Sequence, residues 1–299
     1  MIYLILGIAA NAAIFLVFRA FSSYKIDNMQ AIVVNYMVCV AVGLLFIDQP
    51  AILLTMDYRA PWSLMAIFIG VMLVIGFYAA SLTAQLLGVS VASVASKMSL
   101  MFPVLFSLLF MKIEVKAFSL FNYAGMALAL VAIYLSSIRK NTGVRISHGK
   151  GYLLLLPFIV FVSGGLIDIS LNYSNHQLIN PTNVGAFTIA LFAGASVAGL
   201  ISLIFRKGKF DLKNVLGGAA LGIVNYFSLF FVLRALTAFN NNGAVFYPIY
   251  NVGIIMLSSV AAMVLFRERL SAINFVGLAL AVLSLFLLSY QDILDYLMR

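Results

Sequence analysis

The sequence predicts an all-α membrane protein of ten transmembrane helices, arranged as two inverted five-helix repeats. Three observations predict it. Of the 299 residues, 64% are hydrophobic and 9% charged, with a mean hydropathy of +1.12; a soluble domain carries about a quarter charged residues for its polar shell. The apolar residues fall in unbroken runs of about 20, the length a helix needs to cross roughly 30 Å of hydrocarbon. Features of the first five runs also return in order in the last five.

Lipid as solvent restricts the backbone. Every N–H and C=O inside a bilayer must be satisfied internally, which leaves helices or closed barrels. The runs here do not alternate apolar with polar, so they read as helices. The net charge of +9 and pI near 9.7 do not point to nucleic acid, because the Lys and Arg sit in the gaps between runs. They read as topology signals and contacts to membrane lipids. The single cysteine, Cys39, lies inside an apolar run, so no disulfide framework forms within the chain. The first run, MIYLILGIAA onward, has no basic region of the signal-peptide kind and continues for a full span. It reads as a retained helix.

The ten spans fall at 2–20, 29–47, 62–84, 90–111, 118–138, 152–172, 183–205, 213–234, 243–266 and 271–290. Pro61 opens the third, where a missing N–H costs little. The longest polar gap, 139–151, falls at mid-chain. It divides an N-terminal five-helix repeat, 1–140, from a C-terminal one, 152–299, with a linker at 141–151. Tyr3 aligns with Tyr152, Arg19 with Asp168 and Tyr24 with Tyr173; Gly70 and Tyr78 align with Gly218 and Tyr226. The fourth and ninth spans both end in charged clusters, containing Glu114 and Glu268, and each precedes a helix of small residues. Five is odd, so the second copy enters the membrane in the opposite sense and the repeat is inverted.

Lys and Arg are unevenly distributed. Twelve, including Arg19, Lys25, Arg206, Lys213, Arg267 and Arg269, lie in the gaps after spans one, three, five, seven and nine. Arg59, Lys112, Lys116, Arg234 and Arg299 lie on the other side. By the positive-inside rule the termini are outside the cytoplasm.

Polar residues within spans carry the functional signal, since each costs free energy unless it meets a partner or water. Lys97 stands in VSVASVASKMSLMFPVLF, too deep to reach the interface easily. It reads as a cation on a cavity wall, for a carboxylate or phosphate, or else as a packing residue bonded to a carboxylate or carbonyls. Asp168 is the one carboxylate of nine well inside a span, a candidate for ion coupling or for pairing with Lys97. Asn11, Tyr78, Asn225, Tyr226, Tyr247, Tyr250 and Asn251 are uncharged; together they outline an amphipathic substrate site, and singly each reads more readily as a helix–helix hydrogen bond or an interface aromatic. Arg19 reads as an anchor at a helix end. His148 and His176 fall in gaps. Gly218 and Gly222 form a G-x-x-x-G that reads as packing within one chain, so a monomer or weak homodimer is expected. Asn240-Asn241-Asn242-Gly243 reads as the cap of the ninth helix.

Ten helices in two halves, with the run LFRERLSAINFVGLALAVLSLFLL, resemble the drug/metabolite transporter superfamily and its EamA-like permeases. That family closes the fourth helix of each half with a Gly-Glu-Arg-Leu element. Here it stands as Arg267-Glu268-Arg269-Leu270, with Arg267 where Gly is usual, and the first copy around Glu114 keeps only the Glu. Pro103 matches a Pro common in that helix, and Arg234 to Val245 resembles the family's link between third and fourth helices. The resemblance implies a secondary carrier in the bacterial cytoplasmic membrane, with both termini inside, against the charge count. It implies export or exchange of small polar or amphipathic metabolites, amino acids foremost, by alternating access around a midplane cavity. A lipid or polyprenyl-phosphate flippase and a sugar-phosphate or nucleotide-sugar exchanger are the alternatives on the same fold. The chain has no H-E-x-x-H, G-x-S-x-G or Walker A pattern, so no enzyme activity, metal or cofactor is expected.

Overall fold

In the computed structural model the described residues are 2–47, 50–55, 57, 59–102, 119–138, 153, 155–179, 184–204, 211–238, 243–290 and 294. Among them ten helices have ten residues or more: α1 (Ile2–Ser23), α2 (Asn28–Phe46), α3 (Pro61–Leu86), α4 (Val89–Met98), α5 (Leu120–Ser137), α6 (Leu155–Gln177), α7 (Val184–Ile204), α8 (Leu212–Ala238), α9 (Gly243–Leu265) and α10 (Ala272–Leu288). One further turn of helix, Ile52–Thr55, precedes α3. The described residues contain no strand.

Among the described residues six helices are long and apolar enough to cross a membrane: α1, α2, α3, α7, Leu212–Val232 of α8 and Phe246–Leu265 of α9. Shorter apolar stretches are Leu120–Ser136, Leu155–Leu171 and Ala272–Leu288. The chain is a multi-pass membrane protein. Its outward-facing side chains agree, since Leu45, Leu64, Leu216 and Val264 are exposed, an arrangement that is stable where the solvent is hydrocarbon.

Local chemistry sets the helix ends. Pro61 sits at the start of α3, where the ring needs no N–H acceptor. Asp27 caps α2, accepting from Gln30 N–H at 2.9 Å. Its own N–H donates to Asn214 Oδ1 at 2.9 Å, and Asn214 donates to Gln30 Oε1 at 2.8 Å, which joins the starts of α2 and α8.

The expected fourth span, 90–111, is interrupted. Helix α4 ends at Met98, and the chain makes a turn at Ser99 and Leu100 before helical conformation resumes at Met101. Within this turn Ser99 Oγ donates back to Ser96 O at 2.7 Å, a bond of the kind that competes with the helical ladder. Pro103, Glu114, His148, the 141–151 linker and Asn240-Asn241-Asn242 lie outside the described residues.

Helices α5 and α10 run antiparallel and clasp each other at both ends. Ser119 and Asn122 form a capping box on α5, and Ser271 and Asn274 form one on α10. Each Asn then reaches across the pair. Asn122 Nδ2 donates to Leu288 O at 2.9 Å. Asn274 Nδ2 faces the carbonyls of Leu135, Ser136 and Ile138 at 3.2, 2.8 and 2.8 Å. The signal was present as two Ser-x-x-Asn sequences, each opening a small-residue helix.

Helix α8 packs on α2 through Gly218 and Gly222. A Cβ at Gly218 would stand 2.5 Å from Ala31 O, and one at Gly222 2.8 Å from Asn35 O. The G-x-x-x-G therefore serves packing within the chain. The remaining interior is built by α1 with α3, α8 and α9, by α6 with α3 and α4, and by α2 with α3 and α7. Buried aromatics fill it, with Phe18 edge-on to Phe77 at 5.3 Å and Tyr36 5.5 Å from the same ring.

Candidate functional site

Lys97 lies eight residues into α4, a depth of about 12 Å at 1.5 Å per residue. Its ammonium stands over the Phe15 ring of α1, 5.9 Å from the centroid, the outer limit of a cation–π contact. None of its N–H donors is taken by a described residue. Asp168 of α6 is close enough to be electrostatically coupled to it, yet the two do not close into an ion pair. Both side chains are half-buried.

Asp168 is held in place. Ser99 Oγ donates to its Oδ2 at 2.9 Å. That bond requires the end of α4 and α6 to approach closely, and the chain supplies Gly164 and Gly165 one turn before Asp168. A Cβ at Gly164 would meet Ser99 at 3.0 Å, and one at Gly165 would enter the Phe102 ring. The same turn that interrupts α4 thus delivers Ser99 to the carboxylate. In the sequence Ser99 is not distinguished from Ser90, Ser93 and Ser96 of the same run. The missed signal was a Gly-Gly pair three and four residues before an intramembrane carboxylate.

Helix α9 supplies the third wall. Tyr247 is electrostatically coupled to Asp168 and Tyr250 to Tyr247. Tyr250 is buried; its hydroxyl donates to Gly7 O at 3.2 Å and is also hydrogen-bonded by Asn11. Asn251, also buried, is one turn on from Tyr247 and shares its helix face. Pro248 sits inside this helix, where it removes one ladder hydrogen bond. The structure therefore brings Lys97, Asp168, Tyr247, Tyr250 and Asn11 into one connected group.

Asn225 and Tyr226 make their contacts along the α2–α8 seam. Asn225 donates to Asn35 Oδ1 at 3.2 Å and to Cys39 Sγ at 3.6 Å, so it ties α8 to α2. Tyr226 packs against Phe46 at 5.9 Å on the same seam. Tyr78 packs against the apolar core from α3.

A second polar group closes one end of the bundle. Arg19, near the end of α1, donates to Gln85 O, and its Nε stands 3.7 Å from Glu268 Oε1. The same carboxylate accepts from Val89 N–H at 3.1 Å, capping α4. Gln85 Nε2 is within bonding distance of Phe18 O, Asn28 Oδ1 and Ser81 Oγ, at 3.1, 2.7 and 3.0 Å. Arg19 and Asp168, which the sequence sets at matching positions of the expected halves, thus have unlike surroundings. Gly88, at φ +115°, turns the chain between α3 and α4, and a Cβ there would stand 3.0 Å from Glu268 Oε2.

The chain matches no known protein-family profile. It is 26% identical over 296 residues to an uncharacterized protein of Haemophilus influenzae, covering 97% of this chain and 98% of that one. A protein of known crystal structure superposes with a TM-score of 0.53 at 14% identity, covering 95% of this chain and 98% of that one. The fold is therefore shared along nearly its full length with a solved protein.

Proposed function

We propose that the chain is a secondary carrier of the drug/metabolite transporter kind, an EamA-like permease. It moves a small polar or amphipathic metabolite, foremost an amino acid, across the bacterial cytoplasmic membrane. One observation carries the reading. Lys97 and Asp168 present opposite charges to one interior region without neutralising each other. An unpaired intramembrane charge is expensive and is best explained by a ligand that completes it. Lys97 takes the substrate carboxylate. Asp168, with one oxygen held by Ser99, offers the other to an ammonium group or a coupling proton, and Tyr247, Tyr250 and Asn11 form the polar flank.

The helix pairings support ten spans in two inverted repeats. Exchanging the first five helices with the last five turns the α2–α8 contact into α7–α3, α1–α8 into α6–α3, and α1–α9 into α6–α4, all of which occur. Gly70 packs on the α7 backbone, 2.6 Å from Ala195 N by its Cβ position, much as Gly218 packs on α2. Contacts of α3 with α1, α2 and α4 have no comparable counterparts for α8 with α6, α7 and α9 among the described residues. That imbalance, with the Arg19–Gln85–Glu268 group at one end, suits a carrier closed on one side.

The test is transport by the purified protein in liposomes, with amino acids, sugar phosphates and nucleotide sugars offered in turn. Lys97→Ala is expected to abolish uptake of the cognate solute while leaving folding intact. Undiminished transport by that variant would remove Lys97 from the site and the reading with it.

A further inference from the structure

At the end of the bundle closed by Arg19 and Glu268, a cavity of about 420 Å³ opens between α1, α4 and the α9–α10 turn. It is distinct from the Lys97–Asp168 region, which lies further along α4. Arg19, Arg267 and Arg269 line it against a single carboxylate, Glu268, which is already engaged with Arg19 and the start of α4. Arg267 and Arg269 have no carboxylate partner among the described residues. Ser90 also lines the cavity; it is 2% exposed, and its hydroxyl has no hydrogen-bond partner among the described residues.

Arg267 adopts φ +52°, a left-handed conformation that side chains other than glycine rarely take. It follows α9 as a helix-ending residue, with Glu268 N–H donating back to Ala262 O at 3.3 Å. A long cation is retained where glycine is the unstrained choice. The surface beside the cavity is apolar: Val264 and Leu265 on α9 are 70% and 65% exposed, and Phe275 and Val276 on α10 are 50% and 51% exposed. A cationic recess with an apolar skirt at the end of membrane helices has the shape of an anionic amphiphile's complement.

We propose that this cavity is a binding site for a phosphate group, that of an anionic phospholipid whose acyl chains lie along α9 and α10. Arg267 and Arg269 hold the phosphate oxygens, and bidentate guanidinium geometry suits the task. Occupancy also sets a competitor for Arg19 beside Glu268, coupling lipid to the closed end of the bundle.

The test is thermal unfolding of the full chain in neutral detergent, titrated with phosphatidylglycerol, with phosphatidylcholine, or with soluble glycerol phosphate. Phosphatidylglycerol is expected to raise Tm by roughly 5 °C near a hundredfold excess over Kd, with no response to phosphatidylcholine. The Arg267→Gly and Arg269→Gln variants are expected to lose that shift, Arg267→Gly while melting no lower than wild type without lipid. An equal response to glycerol phosphate would support the phosphate site with a soluble ester as its occupant. Equal stabilisation by both lipids, or an undiminished response in both variants, would overturn the site. Transport is not read in this experiment, so its outcome is independent of the carrier function.

Discussion

Asn274 is the residue whose removal should cost the membrane fold most per atom deleted. Its Oδ1 accepts from Ser271 N–H at 2.9 Å and from Ser271 Oγ at 2.7 Å, and its amide faces three carbonyls of α5. Two amide protons serve three acceptors, so the cross-helix contact counts as two hydrogen bonds. Such bonds contribute about 0.6 kcal/mol each in membranes and about 1 kcal/mol in general. Loss of a helix cap costs about 1 kcal/mol. Asn274→Ala should therefore destabilise the protein by about 2–3 kcal/mol. Asn122→Ala, which loses one cross-helix bond, should cost about 1.5–2 kcal/mol. Asn274→Asp separates the two contributions, because it keeps the capping oxygen and turns a carboxylate towards the α5 carbonyls. Unfolding in mixed micelles with increasing sodium dodecyl sulfate reads the difference. The single tryptophan, Trp62, is 8% exposed beside Phe187 and reports the transition by fluorescence. If Asn274→Asp unfolds at the wild-type detergent fraction, the cross-helix clasp contributes nothing and the reasoning fails.

Three further outcomes are expected. Asp168→Asn should abolish transport, whereas Ser99→Ala, which frees one carboxylate oxygen, should reduce it several-fold in liposome flux; wild-type flux in Ser99→Ala would separate Ser99 from the site. Gly165→Ala forces a Cβ into the Phe102 ring and should cost about 1–3 kcal/mol as overpacking, read by the same fluorescence assay. Arg267→Gly should stabilise the protein in neutral detergent by about 1 kcal/mol, the order of the left-handed penalty it relieves.

Hydropathy made several helices legible with small end errors, as in 29–47 against Asn28–Phe46 and 62–84 against Pro61–Leu86, because crossing hydrocarbon sets a minimum apolar length. It failed at α4, where the expected run 90–111 is interrupted at Ser99 and Leu100, a local turn that a hydropathy average does not register. Lys97 and Asp168 were legible because charge inside an apolar run has few inexpensive explanations. Asn225 and Tyr226 were not: their polarity is the same whether they meet a substrate or, as here, Asn35 and Phe46. The partnership of Arg19 with Glu268 was hidden too, since each reads alone as an interfacial anchor at the end of a distant helix. Arg267 carries no mark of strain in the sequence, and only the backbone shows its φ of +52°, a region where glycine is the unstrained residue.

The reciprocal contact of α5 and α10 makes the pair a length gauge. Asn122 meets the last residue of α10 only if α10 has its present number of residues, and Asn274 meets the end of α5 only if α5 does. Inserting one residue into either helix advances its far end by about 1.5 Å and turns it by about 100°, which unfastens a clasp that the other end cannot restore. Substitution along these two helices is thus far less constrained than a change in their length.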